Sequence, residues 1–474
     1  MKTLAAEGLT ADAIDSAFAD IRQHDLDWGT GRCFAYVFSA GKDVSTVAHR
    51  AYNAFLTENA LDPTSFPSLV RMENEVVGVA AELMHGEGAV GNFTSGGTES
   101  ILLAVKTARD HIRATKGIER PNLVVADSVH PAFHKAAHYF GLDIVSVPVR
   151  KDFRADPEAM AAAINDETAL VVGSAPSYAQ GVIDPIRELA AAAAERGVLM
   201  HVDACVGGFF LPFLEQAGES VPEFDFRVPG VTSISLDLHK YAYCPKGASV
   251  ILYADADLRR HQLFSHTKWA GYGLTNATVQ SSRGGGPVAA AWAVLRHIGA
   301  DRYKTLQMEV RTCVKDLCKG IAAIDGLHVL GEPDASVMAF GSESIDVFAL
   351  VDAMRARNWY IQPQFGHGGV PKSIHLTVVP INVPHQADFL SDLSACVDEL
   401  RASATPGAEN DPMAALAAAF AAGQISIPDA IAAIGTDPTR AQESAAMNRV
   451  LDRLPSDQVE AILREYFHQM YVGR

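Results

Sequence analysis

Short apolar runs recur through the middle of the chain, at Leu123 to Ala126, Ile144 to Val147, Ala169 to Gly173, Val198 to Val202, Thr232 to Ser235 and Ser249 to Tyr253. Runs this short, rich in β-branched residues, predict buried strands. Helical stretches separate several of them, and that alternation predicts a mostly parallel α/β sheet. After Thr94-Ser95-Gly96-Gly97-Thr98, the residues Ile101, Val105, Ala108 and Ile112 share one helical face, with Lys106, Arg109 and Arg113 on the other. A second helix is framed by Asp184 as N-cap, Pro185 at its first position and Gly197 just past its end. Beyond about residue 305 a helix leads into shorter strand candidates at 327 to 330, 336 to 340 and 374 to 379, and a further helix, the pattern of a smaller α+β domain.

These patterns divide the chain into a lead-in over 1–70, a large domain over 71–305, a small domain over 306–404 and a C-terminal part over 405–474. The last opens with TPGAENDP, Thr405 to Pro412, which has linker composition, and two alanine-rich or amphipathic helices are expected after it.

Composition narrows the classes. Of 474 residues, 48% are hydrophobic and 20% charged, which is too apolar for a disordered chain. A formal net charge of −17 sets the general surface against phosphate backbones and anionic headgroups, so nucleic acid is not an expected partner. The six cysteines form no CxxC pair and no His/Cys ligand spacing, which argues against a disulfide frame and a zinc site. The opening residues are polar and acidic, and no run reaches about 18 apolar residues. A cytoplasmic protein without a transmembrane segment is expected.

Four segments carry chemistry that packing alone explains poorly. Phe93 to Ser100, FTSGGTES, opens a helix with two glycines and several hydroxyls, so free N–H groups and a positive helix end would face a cavity and hold a phosphate; a capped tight turn is the plainer reading. Asp203 ends the strand HVD before Gly207-Gly208, where ligands sit in an open parallel sheet, and a buried carboxylate there calls for a cation. Ser233 to Gly247, SISLDLHKYAYCPKG, brings Asp237, His239, Lys240 and Lys246 to the end of a core strand. Lys240 could form an imine with an aldehyde if its amine sheds a proton readily there. The fourth, SSRGGGP at Ser281 to Pro287, reads by itself as a flexible hinge. A helix end for a phosphate, an aspartate for a ring cation and a lysine for an aldehyde have one economical common ligand, pyridoxal 5′-phosphate.

At this point the chain resembles the sphingosine-1-phosphate lyases, within the group II pyridoxal-phosphate decarboxylase superfamily of fold type I. The likeness rests on TSGGTESILLAVKTARD, the block from His130 to Gly141, GVIDP, HVDACVGGF, FDFRVPGVTSIS, HKYAYCPKG and SSRGGGP, and covers roughly residues 30 to 470. It implies a mostly parallel large domain with a smaller α+β domain, and a lyase that cleaves a phosphorylated sphingoid base to a long-chain aldehyde and phosphoethanolamine. It implies that Lys240 carries the cofactor, Asp203 pairs with the pyridine nitrogen and His130 stacks on the ring. Gly97, Thr98 and His239 would hold the cofactor phosphate with Ser282 from a neighbouring subunit, so a homodimer with a shared site is implied. Lys246 and Tyr178 become candidates for substrate phosphate contact or proton transfer. The chain departs from the family around the substrate: Phe38 replaces a tyrosine, Tyr36 replaces a small residue, and Lys268 to Tyr272 and Ser281 to Gly285 differ. An amino-acid decarboxylase and a cofactor-binding regulator without turnover are the alternatives.

Overall fold

The computed structural model describes residues 4–403, 412–427, 429 and 445–471. Three helices, α1 (Ala11–Ile21), α2 (Lys42–Ala54) and α3 (Pro67–Leu83), precede the first strand. Next come β1 (Val90–Thr94), α4 (Gly97–Lys116), β2 (Asn122–Ala126), α5 (Ala132–Phe140) and β3 (Asp143–Val147). They are followed by α6 (Pro157–Ala163), β4 (Thr168–Ser174), α7 (Ile186–Glu195), β5 (Leu199–Asp203) and α8 (Leu211–Gln216). β6 (Val231–Leu236) and β7 (Ser249–Tyr253) complete a seven-stranded sheet of order β1-β7-β6-β5-β4-β2-β3.

The pairs from β3 through β6 are parallel, while β7 runs antiparallel to both β6 and β1. Every residue of β2, β4 and β7 is buried, because helices cover both faces of the sheet. That double burial is why these strands read as unbroken apolar runs. The alternation also holds at α4, where Ile101, Val105, Ala108 and Ile112 are all buried. β1 has no such signature: VGNFT is an edge strand whose Gly91 lies so close to β7 that a Cβ would come within 2.2 Å of the Ile251 carbonyl oxygen.

After a short helix α9 (Ala256–Arg260), a two-stranded hairpin of β8 (Phe264–His266) and β9 (Leu274–Asn276) projects from the sheet. α10 (Gly285–Ala323) then crosses to the second sheet, with a break at Gly299, whose φ is 68°. The second sheet is antiparallel, in the order β10 (His328–Val329), β11 (Val337–Gly341), β13 (Ser373–Thr377), β12 (Gln362–Gln364). α11 (Val347–Ala356) and α12 (Gln386–Ser403) pack beside it.

The Gly284-Gly285-Gly286 triplet is not a hinge. Gly285 and Gly286 lie in the first turn of α10, and a Cβ on Gly286 would meet the Tyr52 ring of α2 at 2.9 Å. The glycines let two helices approach closely, and the helix they open begins at Gly285, well before residue 305. Most of Thr405 to Pro412 lies outside the described residues. Beyond it stand three described helices instead of two, α13 (Pro412–Ala421), α14 (Ala445–Leu451) and α15 (Ser456–Tyr471), with a small apolar cluster of their own around Phe420, Leu451 and Ile462. Pro455 separates the last two, since the residue before a proline is kept out of the helical region. Among the described residues no helix is long and apolar enough to cross a membrane.

Asp184 does not cap its own helix. α7 begins at Ile186 with Pro185 as the capping residue, and the Asp184 carboxylate instead accepts the N–H groups of Ala155 and Ser174, each at 2.8 Å. Two buried backbone donors, one at the end of β4 and one just ahead of α6, need an acceptor more than an exposed helix start does. Asp184→Ala strands both, at about 1–3 kcal/mol per unsatisfied group, so its thermal midpoint falls well below that of the parent. Burial raises the Asp184 carboxyl from 3.8 to about 6. The folded value lies above the unfolded one, so the folded protein keeps the proton longer, and the group's contribution to stability declines as pH rises from about 4 to about 6. Melting curves across that window check both points, since the variant loses this decline.

Candidate active site

The carboxyl ends of β4, β5 and β6 and the start of α4 enclose a cavity of about 330 Å³. Its position follows from the topology: parallel strands present their carboxyl ends along one edge, where loops leave a crevice. β4 delivers Ser174, β5 delivers Asp203, and the turn after β6 delivers Asp237, His239 and Lys240.

The α4 side of the cavity is built from backbone. Gly96 has φ 154°, a conformation open in practice only to glycine, and it aims the chain into the helix that starts at Gly97. First-turn N–H groups have no acceptor within their own helix, so Gly97 and Thr98 offer donors and the positive helix end to the cavity. Ser95 N–H is already taken by Glu99 Oε2 at 2.6 Å, and Glu99 Oε1 accepts Val279 N–H at 2.8 Å. Glu99 thereby ties this loop to the chain just before Ser281. Gly97 cannot be larger: a Cβ there would lie 2.8 Å from both Asp237 carboxylate oxygens and from Cys205 Sγ.

Opposite lies an ion pair. Lys240 Nζ stands 2.9 Å from Asp237 Oδ2, with His239 Nε2 3.6 Å from the same oxygen. Burial works against the charge on Lys240, yet Asp237, with Cys205 and Asp203 nearby, holds its ammonium above the usual lysine range. Burial likewise opposes ionisation of Asp237, and Lys240 and His239 outweigh it, leaving the carboxyl below its usual value. The expectation that Lys240 parts readily with its proton is therefore not met here, because its closest partner is a buried carboxylate. His239 is lowered by desolvation, and its Nδ1 is buried with no hydrogen-bond partner.

Six more of the sequence candidates line this cavity: Gly97, Thr98, His130, Tyr178, Asp203 and His239. Asp203 Oδ1 accepts Cys205 N–H at 3.1 Å. His130, whose Nδ1 accepts Ala132 N–H at 3.2 Å, is lowered by desolvation and so is neutral at pH 7. Tyr178 donates to Gln362 Oε1 at 2.8 Å and stacks on His375 with ring centroids 4.2 Å apart, and desolvation pushes its phenol up to about 12. Both partners belong to the second sheet, which thus holds the cavity's aromatic lid.

Two candidates lie elsewhere. Lys246 Nζ donates to the Tyr36 carbonyl oxygen at 2.9 Å and sits 4.9 Å from the centre of the Phe38 ring. Part of its surface is open, but protein atoms crowd its amine, and this desolvation, with Lys240 nearby, lowers it to about 8. Tyr36 has φ 62°, and its hydroxyl lies 3.3 Å from that of Tyr360. Ser282 is exposed and does not line the cavity of its own chain. The sequence reading noted Asp237 without giving it a part; its signal was the spacing Ser233, Ser235, Asp237, a strand-period polar row leading into the crevice.

The donors present suit the group expected from the sequence. A phosphate fits the Gly97 and Thr98 N–H groups and the unpartnered His239 nitrogen; a ring cation fits Asp203; an aldehyde carbon fits Lys240.

Comparison with known proteins agrees. The family model of the pyridoxal-dependent decarboxylase conserved domain matches residues 6–342. The chain is 40% identical over 395 residues to sphingosine-1-phosphate lyase of Oryza sativa, covering 81% of this chain and 72% of the relative. To sphingosine-1-phosphate lyase 1 of Rattus norvegicus it is 38% identical over 404 residues, covering 84% and 70%. Among solved structures, a Burkholderia pseudomallei sphingosine-1-phosphate lyase superposes with a TM-score of 0.81 at 36% identity, over 85% of this chain and 94% of that one. A Lactobacillus brevis glutamate decarboxylase, 20% identical, superposes with a TM-score of 0.75 over 85% and 96%, a likeness of fold alone.

Proposed function

The chain belongs to the pyridoxal-dependent decarboxylase family, among its sphingosine-1-phosphate lyases, and from that premise we propose that it cleaves the C2–C3 bond of a phosphorylated sphingoid base to a long-chain aldehyde and phosphoethanolamine. It is a pyridoxal 5′-phosphate-dependent lyase. The observation that carries the reading is the convergence of Lys240, Asp203 and the α4 N-terminus on one cavity in a chain 40% identical to such a lyase.

When bound, the cofactor would supply a ring able to accept an electron pair. The protein's part is division of labour. Gly97, Thr98 and His239 would hold the cofactor phosphate, Lys240 would provide the amine that anchors it, and His130 would lie against the ring. Asp203, as an anion, favours a protonated pyridine nitrogen and so keeps the ring able to take up an electron pair. Asp237 fixes the position of the Lys240 amine between turnovers. Tyr178 is a phenol throughout the neutral range, so it serves as a proton donor at a substrate oxygen. The enzyme works as a homodimer in the cytoplasm, with Ser282 of the partner subunit completing the phosphate site. Its exposure at the end of a loop, and the exposed Trp269 and Tyr272 on the nearby hairpin, support that part of the proposal.

Lys246 is assigned to the substrate phosphate. With an amine at about 8, it is cationic below that pH and neutral above. KM for a phosphorylated substrate is therefore expected to rise as pH passes through about 8. Lys246→Met should raise KM by about tenfold at pH 7, and steady-state kinetics at several pH values should show this rise largely gone. Incubating the cofactor-loaded enzyme with sphingosine 1-phosphate and identifying products by mass spectrometry tests the function itself; intact substrate together with carbon dioxide release from an amino acid would replace it by the decarboxylase.

A further inference from the structure

One buried polar cluster lies behind the site and is not used by the chemistry above. His201 is fully buried on β5, two residues before Asp203, so both side chains point to the same face of the sheet. Across the pair to β6, His201 faces Ser233 and Asp203 faces Ser235 in register. The His201 ring spans the two hydroxyls, with Nδ1 2.8 Å from Ser233 Oγ and Nε2 3.1 Å from Ser235 Oγ. Ser235 Oγ in turn lies 3.5 Å from Asp203 Oδ1, and Cys205 Sγ lies 3.4 Å from Ser235 Oγ. The remaining side of the imidazole meets the edge of Phe133, with centroids 5.7 Å apart.

Proton positions follow from what each group can do. An ionised Asp203 only accepts, so the Ser235 hydroxyl donates to it. Ser235 Oγ must then accept, from His201 Nε2–H. Desolvation lowers His201 to about 4, so the ring is neutral with a single N–H. Its Nδ1 is therefore an acceptor, filled by the Ser233 hydroxyl. The result is a one-way chain of donors, Ser233 to His201 to Ser235 to Asp203. It ends on Oδ1, which also accepts Cys205 N–H; among the described residues no hydrogen bond falls on Oδ2.

We propose that His201 and Ser235 are positioning residues for the cofactor ring: acting in series, they lock Asp203 by one oxygen and orient the other into the cavity. A carboxylate held in one orientation would pair with a ring cation better than a loose one, so the charge state of a bound ring would depend on how this chain of donors places Asp203. The inference rests on the cofactor assignment above but on no particular substrate. Other titratable groups that sense Asp203 are His130 ahead of α5, Lys240 beyond β6 and Cys205 beyond β5, with Asp237 beside Lys240. They remain in place in every variant below.

The test is spectroscopic and needs no turnover. Pyridoxal 5′-phosphate is titrated into the wild-type, Ser235→Ala, Ser235→Thr and Asp203→Asn proteins and the Ser235→Ala/Asp203→Asn double variant, and the visible absorption of each loaded protein is followed against pH. Ser235→Ala is expected to weaken cofactor binding by about tenfold and shift the pH midpoint of the absorption, while Ser235→Thr, which keeps the hydroxyl, restores both. In the Asp203→Asn background, Ser235→Ala should add nothing. His201→Gln, which keeps an amide donor, should resemble the wild type more than His201→Phe. An unchanged affinity and midpoint in Ser235→Ala would overturn the proposal, as would an equal shift with and without Asp203. Failure of the wild-type protein to bind the cofactor would instead overturn the assignment on which it rests.

Discussion

Lys240→Ala protein is expected to be colourless after incubation with pyridoxal 5′-phosphate and to turn over substrate at least about a thousandfold more slowly, roughly 4 kcal/mol of lost transition-state stabilisation. The size of the effect follows from the cavity's contents. Lys240 is the one lysine among the residues that line it, and the nearest substitute, Lys246, is turned away to the Tyr36 carbonyl. Alanine also strands the buried Asp237 carboxylate, which loses its ion-pair partner at 2.9 Å. Breaking one side of a buried pair costs about 3–5 kcal/mol, so a fall in stability will accompany the loss of activity. Lys240→Arg separates the two: it keeps a cation for Asp237 but offers no amine, so it should stay folded and remain colourless. A yellow Lys240→Arg protein with near-normal turnover would remove Lys240 from the chemistry.

Asp203→Asn is expected to bind the cofactor yet lose about a hundredfold to a thousandfold in kcat, roughly 3–4 kcal/mol. The amide is nearly the same shape as the carboxylate, and its oxygen can still accept Cys205 N–H, so the local fold survives. What would disappear, on the proposed role of Asp203, is the charge that would favour a protonated pyridine nitrogen. kcat and kcat/KM should fall together, because the interaction matters in the transition state and little in substrate binding. A variant with only a raised KM would mean that Asp203 binds substrate instead.

Much of this site was legible because strand ends and helix starts leave distinct marks. Asp203 follows an apolar run and precedes two glycines; Lys240 follows another; TSGGT opens an amphipathic helix. In a parallel sheet those marks converge on one edge, so reading each locally was enough to bring them together. Contacts set by long-range packing were not legible. Asp184 looks like a helix cap until its two buried donors, Ala155 and Ser174, are known. The glycines before Pro287 look like a hinge until Tyr52 is found against them. The same limit hid the pairing of Lys240 with Asp237, which reverses the expected ease of deprotonation. Tyr178 was legible as a loop aromatic, but its anchoring by Gln362 and His375 comes from a sheet more than 180 residues further on.

The acidic surface and the phosphorylated ligands are compatible because anion binding is local. A net charge of −17 repels anions at large, while the positive helix end at Gly97 and the Lys240 ammonium sit inside the crevice. Steering toward the site should therefore be weak, and recognition should depend on contacts inside the cavity.

The most direct measurement of the central claim is product stoichiometry. Purified, cofactor-loaded enzyme is supplied with sphingosine 1-phosphate, and the long-chain aldehyde and phosphoethanolamine are quantified together over time. The account predicts that both accumulate in equal amounts, at the rate the substrate disappears, and that Lys240→Arg yields neither. Undiminished substrate beside a yellow, folded enzyme, with carbon dioxide released from an amino acid instead, would contradict it.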